Sequence, residues 1–202
     1  MLYIRHGLSE HNVTHTGVLD VGNPRLHPIG HAQVLETAQK TVELGGVDVV
    51  VVSESERAIQ SAVPIAHAVG AVLVVHEGLN EFYWGTDAGR HKHDVFTPAV
   101  QALADAEGDE GWDFRLNSEA ETRREVALRV IGAIQDIEAE FPERTIAAVG
   151  SSFSTKCAVA YHQGIEASDA RRLGFGNGEI LAYDYTSMPE PRSVFVPRAR
   201  LF

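Results

Sequence analysis

The chain has 202 residues, a formal charge of −11 from 17 Lys plus Arg against 28 Asp plus Glu, and 44 % hydrophobic content. This length suits one α/β domain with a substantial core, and the composition is that of an ordinary globular protein. The acidic balance argues against a general nucleic-acid or anionic-membrane binder, so an anionic small substrate would need a local cationic pocket.

Ten histidines make the balance pH-dependent, and the single cysteine, Cys157, excludes a disulfide framework within the chain and a cysteine-based zinc site. No leader-like segment precedes the first strand, and the longest apolar run, Val47 to Val52, is too short to span a bilayer. A cytoplasmic protein is expected.

In chain order, Leu2 to Ile4 read as a strand, followed by Arg5-His6-Gly7 and a loop from His11 to Leu26 broken by Gly17, Gly22 and Pro24. Pro28 opens a helix with Ala32, Leu35, Ala38 and Val42 at helical spacing, and Gly45-Gly46 stops it. Val47 to Val52 reads as a central parallel strand, apolar on both faces. Ser53-Glu54-Ser55-Glu56 caps a helix running to Gly70, with Pro64 inside it, and Ala71 to Val75 is a third strand.

Gly78 to Asp94 is irregular, Phe96 to Ala106 is a candidate helix, and Glu107 to Gly111 is expected to be an acidic loop. Ser118 opens the longest helical pattern, which Pro142 ends. Thr145 to Val149 is a fourth strand, Gly150 to Ser152 a turn and Ser154 to His162 a helix. Glu179 to Tyr185 and Ser193 to Val196 are two further strands. Strands alternating with helices predict a mainly parallel sheet covered on both faces.

In such a sheet, ligands bind beyond the carboxyl ends of the strands. The first strand delivers Arg5 and His6 there, the second Ser53 and, one helical turn on, Arg57, and the third the carboxylate of Leu79-Asn80-Glu81. A guanidinium grips phosphate oxygens bidentately, and an imidazole nitrogen can attack phosphorus. Taken singly, each of these residues also has a plain reading as a solvated loop or helix-surface group.

Together they resemble the histidine phosphatase superfamily, which includes phosphoglycerate mutases and bisphosphatases. Arg5-His6-Gly7 with Ser9 and Asn12 is similar to its opening signature. Leu26 to Gln33 with Gly30 resembles its second stretch, although His27 stands where Thr or Ser is usual. Ser53, Arg57, Ala58, Gln60 and Ser61 resemble its third stretch, and Leu79-Asn80-Glu81 with Gly85 its fourth. Glu121, Thr122 and Arg129 loosely follow a helix motif of many members.

The resemblance implies a three-layer α/β/α sandwich of the phosphoglycerate mutase-like type. It implies one domain over residues 1–202, with a substrate-specificity insertion at about 78–117. It also implies phosphoryl transfer from a small phosphorylated metabolite through a phosphohistidine at His6. Arg5 and Arg57 would hold the phosphoryl oxygens, and Glu81 would act as acid and then base. Ser9 and Asn12 would line the pocket, with no metal and no other cofactor required. The insertion is mostly acidic and aromatic, which favours a phosphatase over a mutase. The expected partner is the small phosphorylated substrate rather than nucleic acid or membrane, and the sequence is compatible with a homo-oligomer.

The family's fourth strand ends in a second His before Gly, and here Val149 stands before Gly150. Loss of one preorganised donor typically costs about 100- to 1000-fold in rate. Ser151, Ser152 and the amides opening the following helix are candidate phosphate ligands in its place; the serines can equally be simple caps. Val149 therefore keeps two alternatives open: a phosphate-ester-binding member with isomerase- or lyase-like chemistry, and a catalytically silent binding protein. Outside this set, His91 and His93 have a spacing able to chelate metal but do not define a site. His27 and His31 are pocket-rim or helix-surface residues, and Phe82, Tyr83 and Trp84 either wall the pocket or pack the loop.

Overall fold

The computed structural model describes residues 1–14, 17–19, 22–183 and 191–199. Strand β1 (Leu2–Arg5) is followed by the short helix α1 (Glu10–Thr14), then α2 (Pro28–Glu43), β2 (Val49–Val52), α3 (Glu56–Val69) and β3 (Val72–Val75). Three short helices follow: α4 (Lys92–Val95), α5 (Pro98–Ala104) and α6 (Gly108–Asp113). The chain continues with α7 (Arg123–Glu140), β4 (Ile146–Gly150), α8 (Ser152–His162), β5 (Ile180–Ala182) and β6 (Arg192–Phe195).

The strands form one six-stranded sheet in the order β3-β2-β4-β1-β5-β6. The first four are mutually parallel, and β5 and β6 join antiparallel. Helices cover both faces, as in the phosphoglycerate mutase-like fold. Alternation along each strand divides the core in two. Tyr3, Val51 and Ala148 pack with Val130, Ile134 and Ile137 of α7, whereas Ile4, Val52 and Val149 pack with Val34 of α2 and Ala62 and Ile65 of α3. Val49–Val52 is buried throughout, which explains the unbroken valine run.

Gly70 ends α3 in the left-handed conformation that the sequence predicts for a terminator. Gly7 sits where α2 comes close to the chain. A Cβ there would lie 2.5 Å from the Gly30 carbonyl oxygen, and one on Gly30 would lie 2.1 Å from that of Leu8. The two glycines let α2 press against the loop that follows β1, backbone to backbone.

Four boundaries differ from expectation. Residues 108–113 are helical rather than a loop, because Arg124 binds Asp109 and Asp113 while Trp112 packs edge-on against Tyr161 at 5.1 Å. Helix α7 begins at Arg123 instead of Ser118, fixed by a capping box between Thr122 and Glu125. Helix α8 begins at Ser152, two residues earlier than expected. The expected strand to Tyr185 runs only to Ala182, and Asp184 and Tyr185 lie outside the described residues. Among the described residues, no helix is long and apolar enough to cross a membrane.

Candidate active site

A cavity of about 470 Å³ opens at the carboxyl edge of the parallel strands, and Arg5, His6, Asn12, Arg57, Glu81 and Ser152 all line it. Strand β1 ends at Arg5, so His6 is the first residue beyond it, and the His6 amide donates to the Gly150 carbonyl of β4 at 3.0 Å. Arg57 lies in the first turn of α3, and Glu81 follows the 3₁₀ turn after β3.

His6 is 4 % exposed, and its Nδ1 lies 2.7 Å from the Gly7 carbonyl oxygen. A carbonyl only accepts, so Nδ1 carries the proton and Nε2 keeps the lone pair. Arg57 Nε donates to that lone pair at 3.2 Å. Burial lowers the His6 pKa well below its usual value, and the positive charges of Arg57 and Arg5 lower it further. The ring is therefore neutral, the form a nucleophile needs. Its folded pKa lies below the unfolded one, so the stability linked to His6 is complete above the unfolded value of about 6.5 and is lost as pH falls below it. A ¹⁵N NMR titration of the ring should show the neutral Nδ1–H form persisting at pH 6.5, with protonation only well below; a midpoint at or above 6.5 would contradict the assignment.

Arg5 donates to the Phe175 carbonyl at 2.8 Å, while its Nε is buried with no hydrogen-bond partner. Burial lowers its pKa, opposed by Glu81. One oxygen of Glu81, Oε1, accepts from the Phe82 amide at 2.9 Å and the Ser154 amide of α8 at 3.2 Å. An oxygen already accepting two bonds is a poor proton carrier, so the acid form holds its proton on Oε2.

The Glu81 segment is fixed from behind. Arg129 on α7 donates to the carbonyls of Gly78 and Asn80, both at 3.0 Å, and forms a two-pronged pair with Glu121 at 2.8 and 2.9 Å. Glu121 in turn accepts from the Tyr83 amide at 2.9 Å. The helix motif around Glu121 and Arg129 thus holds the loop that presents Glu81.

Three expected pocket residues stand elsewhere. Ser9 is fully buried behind the wall, donating to Asn12 Oδ1 at 2.9 Å, so it orients Asn12 rather than lining the cavity. Ser151 is also fully buried, and its Oγ has no hydrogen-bond partner. Val149 does not reach the pocket. The parallel register sets it level with Ile4, two residues short of His6, inside the core formed with α2 and α3. The residue that follows Gly150, and so comes level with His6, is Ser151.

The remaining candidates divide. Phe82 and Trp84 line the cavity with Phe96 and Phe153, whereas Tyr83 is exposed. His27 caps α2, accepting from the Ile29 amide at 3.3 Å, and His31 is exposed on that helix. The His91 and His93 rings lie 5.0 Å apart, and no group of three or more potential ligands forms among the described residues.

Sequence reasoning missed Lys156, His11, Lys92 and Arg123 on the cavity wall, and the segment 175–179 behind it. Asn177 Nδ2 donates to the His6 carbonyl and to Asn12 Oδ1, both at 3.2 Å, and the Gly178 amide donates to the Arg5 carbonyl at 3.0 Å. The Gly-Asn-Gly triplet at 176–178 was the available signal of a tight turn.

The family model for the histidine phosphatase superfamily (branch 1) matches residues 1–190. The chain belongs to this superfamily. Like the family at large, it is a phosphatase-like enzyme. Among solved structures, a variant of phosphoserine phosphatase from Entamoeba histolytica in complex with phosphoserine superposes with a TM-score of 0.78 at 18 % identity, covering 98 % of this chain and 96 % of that one. The mycobacterial glucosyl-3-phosphoglycerate phosphatase gives 0.76 at 19 %, covering 96 % of each chain. A protein described as mycobacterial hydrolase 1 gives 0.77 at 20 %, covering 99 % and 98 %. At these identities the likeness concerns the fold. No curated protein matches this histidine phosphatase superfamily member in sequence.

Proposed function

We propose that the protein is a phosphomonoesterase that works through a phosphohistidine on His6. The observation that carries this reading is the neutral His6 ring, its proton pinned on Nδ1 by Gly7 and its Nε2 lone pair turned to Arg57. A phosphoryl group entering between Arg5 and Arg57 takes the place of the Arg57 contact and meets that lone pair. The unpartnered Arg5 Nε is a donor in need of such an anion.

In the first step the Nε2–P bond forms and the P–O bond breaks, and the leaving oxygen takes the Glu81 proton. In the second, water attacks phosphorus, passes its proton to Glu81 and releases phosphate, restoring His6. The two guanidiniums stabilise the equatorial oxygens, assisted by Asn12, Ser152 and the first amides of α8. Ser152, which lines the cavity at the N-terminus of α8, is the hydroxyl we assign to the role of the missing second histidine. The segment 78–117 acts as the specificity insertion of a single domain. Val149 lends no support to altered chemistry, since its side chain belongs to the core.

Glu81→Gln tests the scheme through leaving-group dependence. An alkyl phosphate, whose leaving oxygen needs a proton, should lose at least about 100-fold in kcat/KM, the usual worth of a general acid. A nitrophenyl phosphate, whose leaving group departs as an anion, should lose far less in its first step. Equal losses on both esters would count against Glu81 as the acid.

A further inference from the structure

The cavity extends well past the phosphoryl end. Its volume of about 470 Å³ falls within the roughly 300–1,000 Å³ of a site for a whole organic molecule. Aromatic residues begin at once beside two of the groups that meet the phosphoryl group. Phe82 follows Glu81 directly, and Phe153 follows Ser152, the first residue of α8. The Phe82 and Phe153 centroids lie 5.4 Å apart, edge to face. Trp84 extends this wall, its centroid 4.4 Å from Phe82, 6.2 Å from Phe153 and 6.1 Å from Phe96. Asn117 Nδ2 holds Trp84 in place by donating to its carbonyl at 2.9 Å. Val18 and Leu19 also line the cavity, and the Leu19 amide pins that segment by donating to the Arg90 carbonyl at 2.8 Å.

The polar groups in this part of the wall already serve the protein itself. Gln101 Nε2 donates to Asp105 Oδ2 at 2.6 Å, and Arg123 donates to the carbonyls of Ala104 and Gly111. Lys156 has Glu179 and Glu81 as opposing charges, and both it and His11 interact with other groups of the chain. Lys92 is exposed to solvent. A sugar or amino-acid leaving group would set hydroxyls or an ammonium against rings that return no hydrogen bond, and a polar group desolvated without a partner weakens binding. The rings of Trp84, Phe96 and Phe153 are only half-buried, so they keep apolar surface in contact with water that a hydrocarbon would cover.

We propose that the substrate is the phosphomonoester of an uncharged, largely apolar alcohol, whose hydrocarbon body packs on Phe82, Trp84 and Phe153. This rests on the phosphomonoesterase reading of the same pocket. The test separates the two by measuring binding apart from turnover. Calorimetry would compare methylphosphonate, benzylphosphonate and 4-carboxybenzylphosphonate, none of which can be hydrolysed. Benzylphosphonate should bind the wild-type protein about tenfold tighter than methylphosphonate or more, the worth of burying a phenyl ring. The added carboxylate should bring no further gain. In Phe153→Ala and in Trp84→Ala the benzyl preference should shrink to within about threefold, while Phe153→Leu, which keeps apolar bulk, should retain most of it. Equal binding of the methyl and benzyl compounds to the wild type, tighter binding of the carboxylated compound, binding of none of the three, or an undiminished benzyl preference in both alanine variants would overturn the proposal. Phosphate release from nitrophenyl phosphate, measured alongside, shows whether the phosphomonoesterase reading stands or falls independently.

Discussion

Replacing His6 with Ala should abolish phosphate release, by on the order of 10⁴-fold or more, with the fold intact. The loss is large because, among the described residues that line the cavity, His6 is the imidazole whose lone pair faces Arg57. Removal of a nucleophile leaves only what binding and electrostatic stabilisation provide. The fold should survive because His6 follows the last residue of β1, and the bond from its Nδ1 to the Gly7 carbonyl is worth about 1 kcal/mol. Arg57 would lose its Nε contact with the ring but would remain at the solvent-connected cavity. Circular dichroism with a malachite-green phosphate assay checks both halves. A folded variant that turns over normally would place the catalytic centre elsewhere.

Val149→His should destabilise the protein without raising phosphate release. The isopropyl group is fully buried among Ile4, Val52, Ala58 and Ile65. A larger ring there overpacks the core, at roughly 1–3 kcal/mol, and leaves a buried polar group unpaired, at roughly another 1–3 kcal/mol. Together these lower the melting temperature by roughly 5–20 °C. No catalytic gain offsets this, because position 149 lies two residues, about 6.6 Å, back along the strand from the level of His6. Thermal denaturation and phosphate assays on the purified variant decide the matter; a stable variant with faster phosphate release would mean that residue 149 does face the phosphoryl group.

That residue shows where the sequence stops being legible. The alternation of strands and helices, the valine run of β2 and the helix-ending glycines are local signals, and the sheet follows from them. Arg5, His6, Arg57 and Glu81 each sit where a strand hands over to a loop or helix, so their convergence follows once the sheet is parallel. Which residue of β4 comes level with His6 depends on register between strands some 145 positions apart, and nothing local to either strand encodes it. The same holds for the loop at 175–179, whose backbone grips His6 from the far end of the chain. Helix α6 was hidden because its acidic composition reads as a loop until Arg124 arrives from α7 to pair with it. Lys156 reads as one more exposed lysine until α8 is docked with Ser152 at the pocket.

The central claim is a covalent bond between phosphorus and His6 Nε2. It is tested most directly by rapid acid-free quenching of the enzyme with a ³²P-labelled phosphomonoester, followed by peptide mass spectrometry. The account predicts a label on the peptide containing His6, stable in alkali, labile in acid, absent in His6→Ala and accumulating before phosphate is released. Steady phosphate release from the wild-type enzyme with no labelled His6 at any time in the turnover would contradict it.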